Sequence, residues 1–134
     1  MYFTWKKLYE TGLEEIDNQH KKFLTIINDL HKELTENKDF KTVEAIINEL
    51  KSYAEYHFKT EEKLFEQYNY KGEELSEHLK KHKDFENFIE KAISNISSSK
   101  SIITTKLADY ARKWLIEHIC GTDVKFVKFI NQNN

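Results

Sequence analysis

Ala54-Glu55-Tyr56-His57-Phe58-Lys59-Thr60-Glu61-Glu62-Lys63-Leu64-Phe65 carries an apolar stripe at helical spacing, broken by one imidazole and one carboxylate. Residues four apart on a helix lie above one another on one face. The stripe Val43, Ile47, Leu50, Ala54 therefore continues through His57, Glu61 and Leu64 to Tyr68. His57 and Glu61 point at one place inside the protein. A buried, uncompensated carboxylate costs several kcal/mol, and a cation is the simplest compensation.

The same interruption recurs along the chain. A first amphipathic stretch runs from about Asp17, a candidate N-cap, to Thr35. It carries Phe23, Ile26, Ile27, Leu30 and Leu34, with His20 on the same side. The second runs from about Lys41 to Tyr68. The third runs from about Glu73 to Ile96, where Leu75, His78, His82, Phe85 and Ile89 share a stripe. The fourth runs from about Ile102 to Ile119, with Leu107, Ala111, Trp114 and His118 aligned. The breaks are Glu36–Asp39, Asn69–Gly72 and the serine-rich Ser97–Ser101. Gly121 is expected to end the fourth helix, and a short tail helix is expected over Val124–Ile130. Short breaks between long helices predict an all-α, up-down-up-down antiparallel four-helix bundle. An N-terminal extended arm precedes it.

Composition agrees. The 134 residues suit one domain, 1–134, with a single core. No proline, three glycines and a charged third favour long helices over sheets. The formal net charge of −2 implies neither a nucleic-acid nor a membrane partner. The single cysteine, Cys120, excludes an internal disulfide framework and suits a reducing cytoplasm. No apolar run approaches a membrane span, and the N-terminus lacks the pattern of a secretory signal. A cytoplasmic location is expected.

Any one of these histidines alone would be read as a hydrogen-bonded core residue. The combination changes the reading. His57 and Glu61, and His78 and His82, are i,i+4 pairs; His118 and Asp123 are an i,i+5 pair across Gly121. With His20, every helix brings an imidazole inward. Five imidazoles and two carboxylates are too many for one tetrahedral zinc. Two metals fit if both carboxylates bridge them. Three histidines on one and two on the other then leave one metal with an open position. A nitrogen-rich set without thiolate points to iron, although zinc, manganese or cobalt could occupy the same cage. The Glu-x-x-His motif of ferritin-like di-iron bundles is absent. The zincin motif fails because Leu79 follows His78 where a glutamate would be needed.

The full pattern resembles the hemerythrin family in its single-domain bacterial form, the bacteriohemerythrins. The resemblance rests on Trp5, Gly12, Ile16-Asp17-Asn18-Gln19-His20, His57-Phe58-Lys59-Thr60-Glu61-Glu62, His78-Leu79-Lys80-Lys81-His82, Trp114-Leu115-Ile116-Glu117-His118-Ile119 and Asp123. It implies two iron ions, Fe2+ or Fe3+, with an oxo or hydroxo bridge. His78, His82 and His118 would hold one iron and His20 and His57 the other, with Glu61 and Asp123 bridging. It implies reversible O2 binding at the two-histidine iron, for transport, storage or sensing, rather than an enzyme. The alternative is a di-iron enzyme acting on NO or peroxide.

Phe23, Phe58, Phe85 and Leu115 flank the ligands in sequence and are expected to pack near the iron pair and wall the O2 pocket. His31, eleven positions after His20, falls on nearly the same face about 16 Å further along. It reads as a core histidine that touches solvent, ahead of a proton-relay or iron-entry residue. Cys120 reads as a buried inert thiol rather than a redox sensor. Thr122 is a candidate cap of the tail helix. The bundle is expected to consume the whole chain, which favours a carrier or store over a sensor; the sequence names no protein partner.

Overall fold

The structure is a computed structural model that describes residues 2–37, 39–97 and 105–132. Five α-helices follow one another: α1 (Glu14–Lys32), α2 (Phe40–Gln67), α3 (Glu73–Ser97), α4 (Lys106–Glu117) and α5 (Val124–Gln132). Strands are absent among the described residues. The first four helices form the four-helix bundle, and α5 is the short C-terminal helix. The serine-rich break and the expected helix start at Ile102 lie in or at the edge of residues 98–104, outside the described residues.

Each helix buries the stripe that its sequence announces. Phe23, Ile26, Ile27 and Leu30 of α1 meet Val43, Ile47, Leu50 and Ala54 of α2, Phe85 and Ile89 of α3, and Ala108, Ala111 and Leu115 of α4 in one core. A second apolar cluster, Phe65, Tyr70, Phe126 and Ile130, fills the opposite end. The inward histidines lie between the two clusters, because imidazoles interrupt the stripes at that level.

The α2–α3 turn shows how local chemistry sets this geometry. Asn69 takes a left-handed backbone (φ 58°), and Gly72 follows at φ 87°. Tyr70 N–H donates to Phe65 C=O at 2.8 Å and Asn69 N–H to Glu66 C=O at 3.3 Å. This is a Schellman closure, with its apolar contact made by the Tyr70 and Phe65 rings, 5.5 Å apart. It reverses the chain and seats Tyr70 in the second cluster.

Three local expectations are corrected. α1 begins at Glu14, with Leu13 at the cap position, so Asp17 is not the N-cap. Asp17 instead accepts hydrogen bonds from Thr11 N–H and Thr11 hydroxyl, both 2.8 Å, and from Gly12 N–H at 3.3 Å. It thereby ties the arm to the helix, and Gly12 makes the bend with a positive φ of 96°. Gly121 does not stop a helix. The backbone runs on through a π-helical segment, His118–Asp123, directly into α5. For the same reason α5 has no free N-terminus for Thr122 to cap.

The arm is held by specific contacts. Phe3 N–H donates to the Asn28 carboxamide at 2.8 Å, and the Asn28 amide donates back to Phe3 C=O at 2.7 Å. Tyr2 hydrogen-bonds Asp109 and stacks on His31, ring centroids 3.6 Å apart and 6° from parallel. His31 is half-buried against the arm and takes no part in the inner cluster.

Candidate metal centre

All seven ligand candidates converge in one buried cluster, and none is more than 2% exposed. α1 supplies His20, α2 supplies His57 and Glu61, α3 supplies His78 and His82, and the π-helical segment supplies His118 and Asp123. The π segment explains the i,i+5 spacing. In an α-helix, residues five apart diverge by about 140° around the axis. Hydrogen bonding from i to i+5 widens the turn and brings such residues onto one face.

The rings form two groups. His78, His82 and His118 lie 4.7, 5.0 and 5.1 Å from one another between centroids. His20 and His57 lie 4.8 Å apart. The groups are further separated, with His57 and His118 at 6.5 Å. The carboxylates stand between them. Asp123 Oδ2 is 2.7 Å from His20 Nε2, while Oδ1 is 3.0 Å from both His78 and His118 Nε2. Glu61 Oε1 is 3.0 Å from His82, 3.2 Å from His57, 3.3 Å from His118 and 3.5 Å from His78.

These distances do not describe a hydrogen-bond network. One carboxylate oxygen has two lone pairs and cannot serve four imidazole donors. Nε2 of His20, His57 and His78, Oε2 of Glu61 and both oxygens of Asp123 have no hydrogen-bond partner of acceptable geometry. Buried polar atoms left so are rare and need a reason. His82 and His118 Nε2 do meet Glu61 Oε1 in acceptable geometry, but nitrogen and oxygen donors that converge mostly without bonding one another fit a set of cation ligands. Two overlapping donor sets meet at Glu61 and His118: Glu61 with His78, His82 and His118, and His57, Glu61, His118 and Asp123.

Electrostatics follow from burial and crowding. Burial pushes Glu61 up, but the imidazoles crowded around it hold it well below the ordinary carboxylate range. Burial and the Glu61 charge push Asp123 up, yet the adjacent His118 charge leaves it lowered. Burial dominates at His82, which is pushed down to about 4. Burial would lower His118 too, but Asp123 and Glu61 together push it up to about 10. His78 is also raised, because the adjacent Asp123 and Glu61 carboxylates outweigh its burial. Without a cation the carboxylates are therefore compensated by protons on imidazole.

Aromatic rings pack the cluster from both ends. Phe58 stacks on His82 at 4.0 Å, Trp114 on His118 at 4.5 Å, and Phe23 meets His57 edge-on at 6.0 Å. Phe85 contacts Phe23 at 5.5 Å and Trp114 at 4.4 Å, behind those rings rather than on an imidazole. Leu115 is fully buried on α4 one turn before His118. Sequence reading overlooked Phe65, 4.7 Å from His78, and Phe126, 6.1 Å from it. Their signal was available: Phe65 lies four residues after Glu61, and Phe126 three after Asp123. It also overlooked Gln19, whose side-chain oxygen is 2.7 Å from His57 Nδ1. A signal was available here too: Gln19 lies three residues after Ile16 and four before Phe23, so helical spacing puts this polar side chain on the buried face. Cys120 is partly buried and burial raises its thiol pKa, which disfavours the reactive thiolate.

A helical bundle whose inner faces converge on a dry imidazole–carboxylate cage defines a class of buried-metal bundle proteins. The sequence profile of the hemerythrin HHE cation binding domain matches residues 11–130, and the chain belongs to this family. The family binds O2 at a di-iron site. The chain is 32% identical over 130 residues to a bacteriohemerythrin of Clostridium acetobutylicum, covering 93% of this chain and 98% of that protein. It is 27% identical to a myohemerythrin of Theromyzon tessulatum, covering 92% and 90% of the two chains. A crystal structure of wild-type hemerythrin superposes with a TM-score of 0.88 at 20% identity, over 97% of this chain and 98% of the other. That likeness supports the fold. No helix among the described residues is long and apolar enough to cross a membrane.

Proposed function

We propose that this protein binds O2 reversibly at two iron ions, as a carrier, store or sensor rather than an enzyme. His78, His82 and His118 would hold one iron, and His20 and His57 the other. Glu61 and Asp123 would bridge them, with a solvent-derived oxo or hydroxo group. The observation that carries this reading is the division of five imidazoles into groups of three and two, with both carboxylates reaching each group. Three nitrogens and shared oxygens would fill one coordination sphere, and two would leave the other with room for an exogenous ligand.

When bound, the iron pair supplies the electrons on which O2 binding draws. The chain's own residues do the rest. Glu61 and Asp123 offset the metal charge in a site that water does not reach. Phe23, Phe58 and Leu115, with Trp114 on His118 and Phe85 behind these rings, present apolar surface that O2 crosses easily and that water and ions do not. The described residues that line the cluster offer no acid or base beyond the ligands themselves.

The test is direct. Protein loaded with Fe(II) under anaerobic conditions is exposed to O2, degassed and followed by optical spectroscopy. A coloured oxygenated form that fades on degassing and returns on re-exposure is expected. Repeated consumption of O2, NO or peroxide with an electron donor, at a rate exceeding the reversible exchange, would replace the binding role with the enzymatic one.

A further inference from the structure

Gln19 is 95% buried on α1, and its hydrogen bonds determine the state of one imidazole. The hydroxyl of Thr60 has a single proton, which it donates to Tyr56 C=O at 3.0 Å. Towards Gln19, 3.2 Å away, Thr60 Oγ1 can therefore only accept. The Gln19 atom facing Thr60 must be the amide nitrogen, which leaves the Gln19 carbonyl oxygen facing His57. That oxygen lies 2.7 Å from His57 Nδ1, so Nδ1 carries the proton and donates it. The lone pair of His57 is thus on Nε2, the atom that faces Glu61 Oε1 at 3.2 Å. Among the described residues, the Nδ1 atoms of His20, His78, His82 and His118 have no such protein partner.

We infer that Gln19, locked by Thr60, is a positioning residue that sets the tautomer and donor strength of His57 at the two-histidine metal. Hydrogen bonds to the far nitrogen of a metal-binding imidazole orient the ring and tune its basicity. A carboxylate in that place would pull on the Nδ1 proton, make the imidazole more electron-rich and favour the ferric state. A neutral amide pulls less. Gln19 therefore fixes the ring while leaving the reduced, O2-binding state favoured. The inference rests on the iron-binding reading proposed above.

Three variants test it by iron affinity and reduction midpoint, neither of which requires O2 binding. Gln19→Glu keeps size and an acceptor but adds charge, and Thr60 can turn its hydroxyl to donate. It should retain two irons and lower the midpoint of the diferric–diferrous couple. Gln19→Leu removes the acceptor and should weaken iron binding about 10–100-fold in a chelator competition. Thr60→Val frees the amide to flip and should fall between wild type and Gln19→Leu. If Gln19→Leu does not fold, the Gln19→Glu midpoint and Thr60→Val affinity decide the matter. Wild-type midpoint in Gln19→Glu together with wild-type affinity in Thr60→Val would overturn the inference and leave Gln19 a packed polar residue. A wild-type protein that fails to hold two irons would instead sink the iron reading itself, so the two failures are distinguishable.

Discussion

Phe58 lies flat on His82, with ring centroids 4.0 Å apart and planes 11° from parallel. Phe65 lies further off at 6.3 Å in a similar orientation. His82 therefore has apolar surface on its faces and only its edge turned to Glu61, 3.0 Å away. That environment explains why burial, rather than the neighbouring carboxylate, governs its pKa. An imidazole held neutral at ordinary pH could take a metal without losing a proton first.

Replacing Phe58 with Ala removes this face. The expected cost is about 3–5 kcal/mol for a fully buried phenylalanine, together with a looser His82. Thermal unfolding should show a marked drop, and chelator-driven iron release should be faster than in wild type. Unchanged release kinetics despite lowered stability would mean that the ring packs the core without restraining the ligand.

Glu61→Ala and Asp123→Ala are each expected to lose both irons rather than one. Each carboxylate reaches both groups of imidazoles, so its removal unpairs both metals and leaves excess positive charge buried. His20→Ala should be milder and leave the three-histidine metal in place. Iron content per chain, measured after gel filtration, checks this; equal loss from all three variants would contradict the bridging assignment.

Metal uptake should release protons. His118 is pushed up to about 10 in the metal-free protein and His78 is also raised, yet a ligand nitrogen must be deprotonated. Metal binding near pH 7 should therefore acidify a weakly buffered solution and strengthen as pH rises. A pH-indicator titration with Fe(II) or Zn(II) reads this, and uptake without proton release would refute it.

Metal-free protein should be destabilised on both sides of neutrality, for different groups. The folded pKa of His118 is raised, so its contribution is full below the unfolded value of about 6.5 and is lost as pH rises towards 10. The folded pKa of His82 is depressed, so its contribution is present above about 6.5 and is lost as pH falls through 4. The lowered Glu61 and Asp123 add to the acid loss. Melting curves of apo protein from pH 4 to 10 should show a maximum near neutrality, and iron should raise the melting temperature there because it binds only the folded cage. A flat profile would mean that the cluster is not coupled to folding.

Leu115→Ala should open the wall beside His118 while sparing every ligand. Iron content is expected to match wild type, while oxidation of the diferrous form in air accelerates as water gains entry. The removed side chain is fully buried, so a stability loss of about 2–5 kcal/mol accompanies the change. Air oxidation at the wild-type rate would show that other side chains exclude the water.

The sequence by itself determined the helices and the inward positions of the ligand candidates. The apolar stripes repeat at helical spacing, and a stripe that reads Ala54, His57, Glu61, Leu64 places its polar members inside whatever the neighbouring helices do. The α2–α3 turn was equally legible, since Asn69 and Gly72 are residue types that accept positive φ. Only the tertiary structure shows the five imidazole rings grouped as three and two, the division that the family resemblance implied, because that depends on distances between helices remote in sequence. It also decided that Gly121 lies within a continuous π-helical turn instead of ending a helix: pulling His118 and Asp123 onto one face outweighs the local tendency of glycine to terminate. The role of Gln19 was hidden for the same physical reason, although its spacing from Ile16 and Phe23 puts it on the buried face. That role comes from a carbonyl oxygen that meets His57 across the α1–α2 contact, and helical spacing marks a residue as buried without naming its partner.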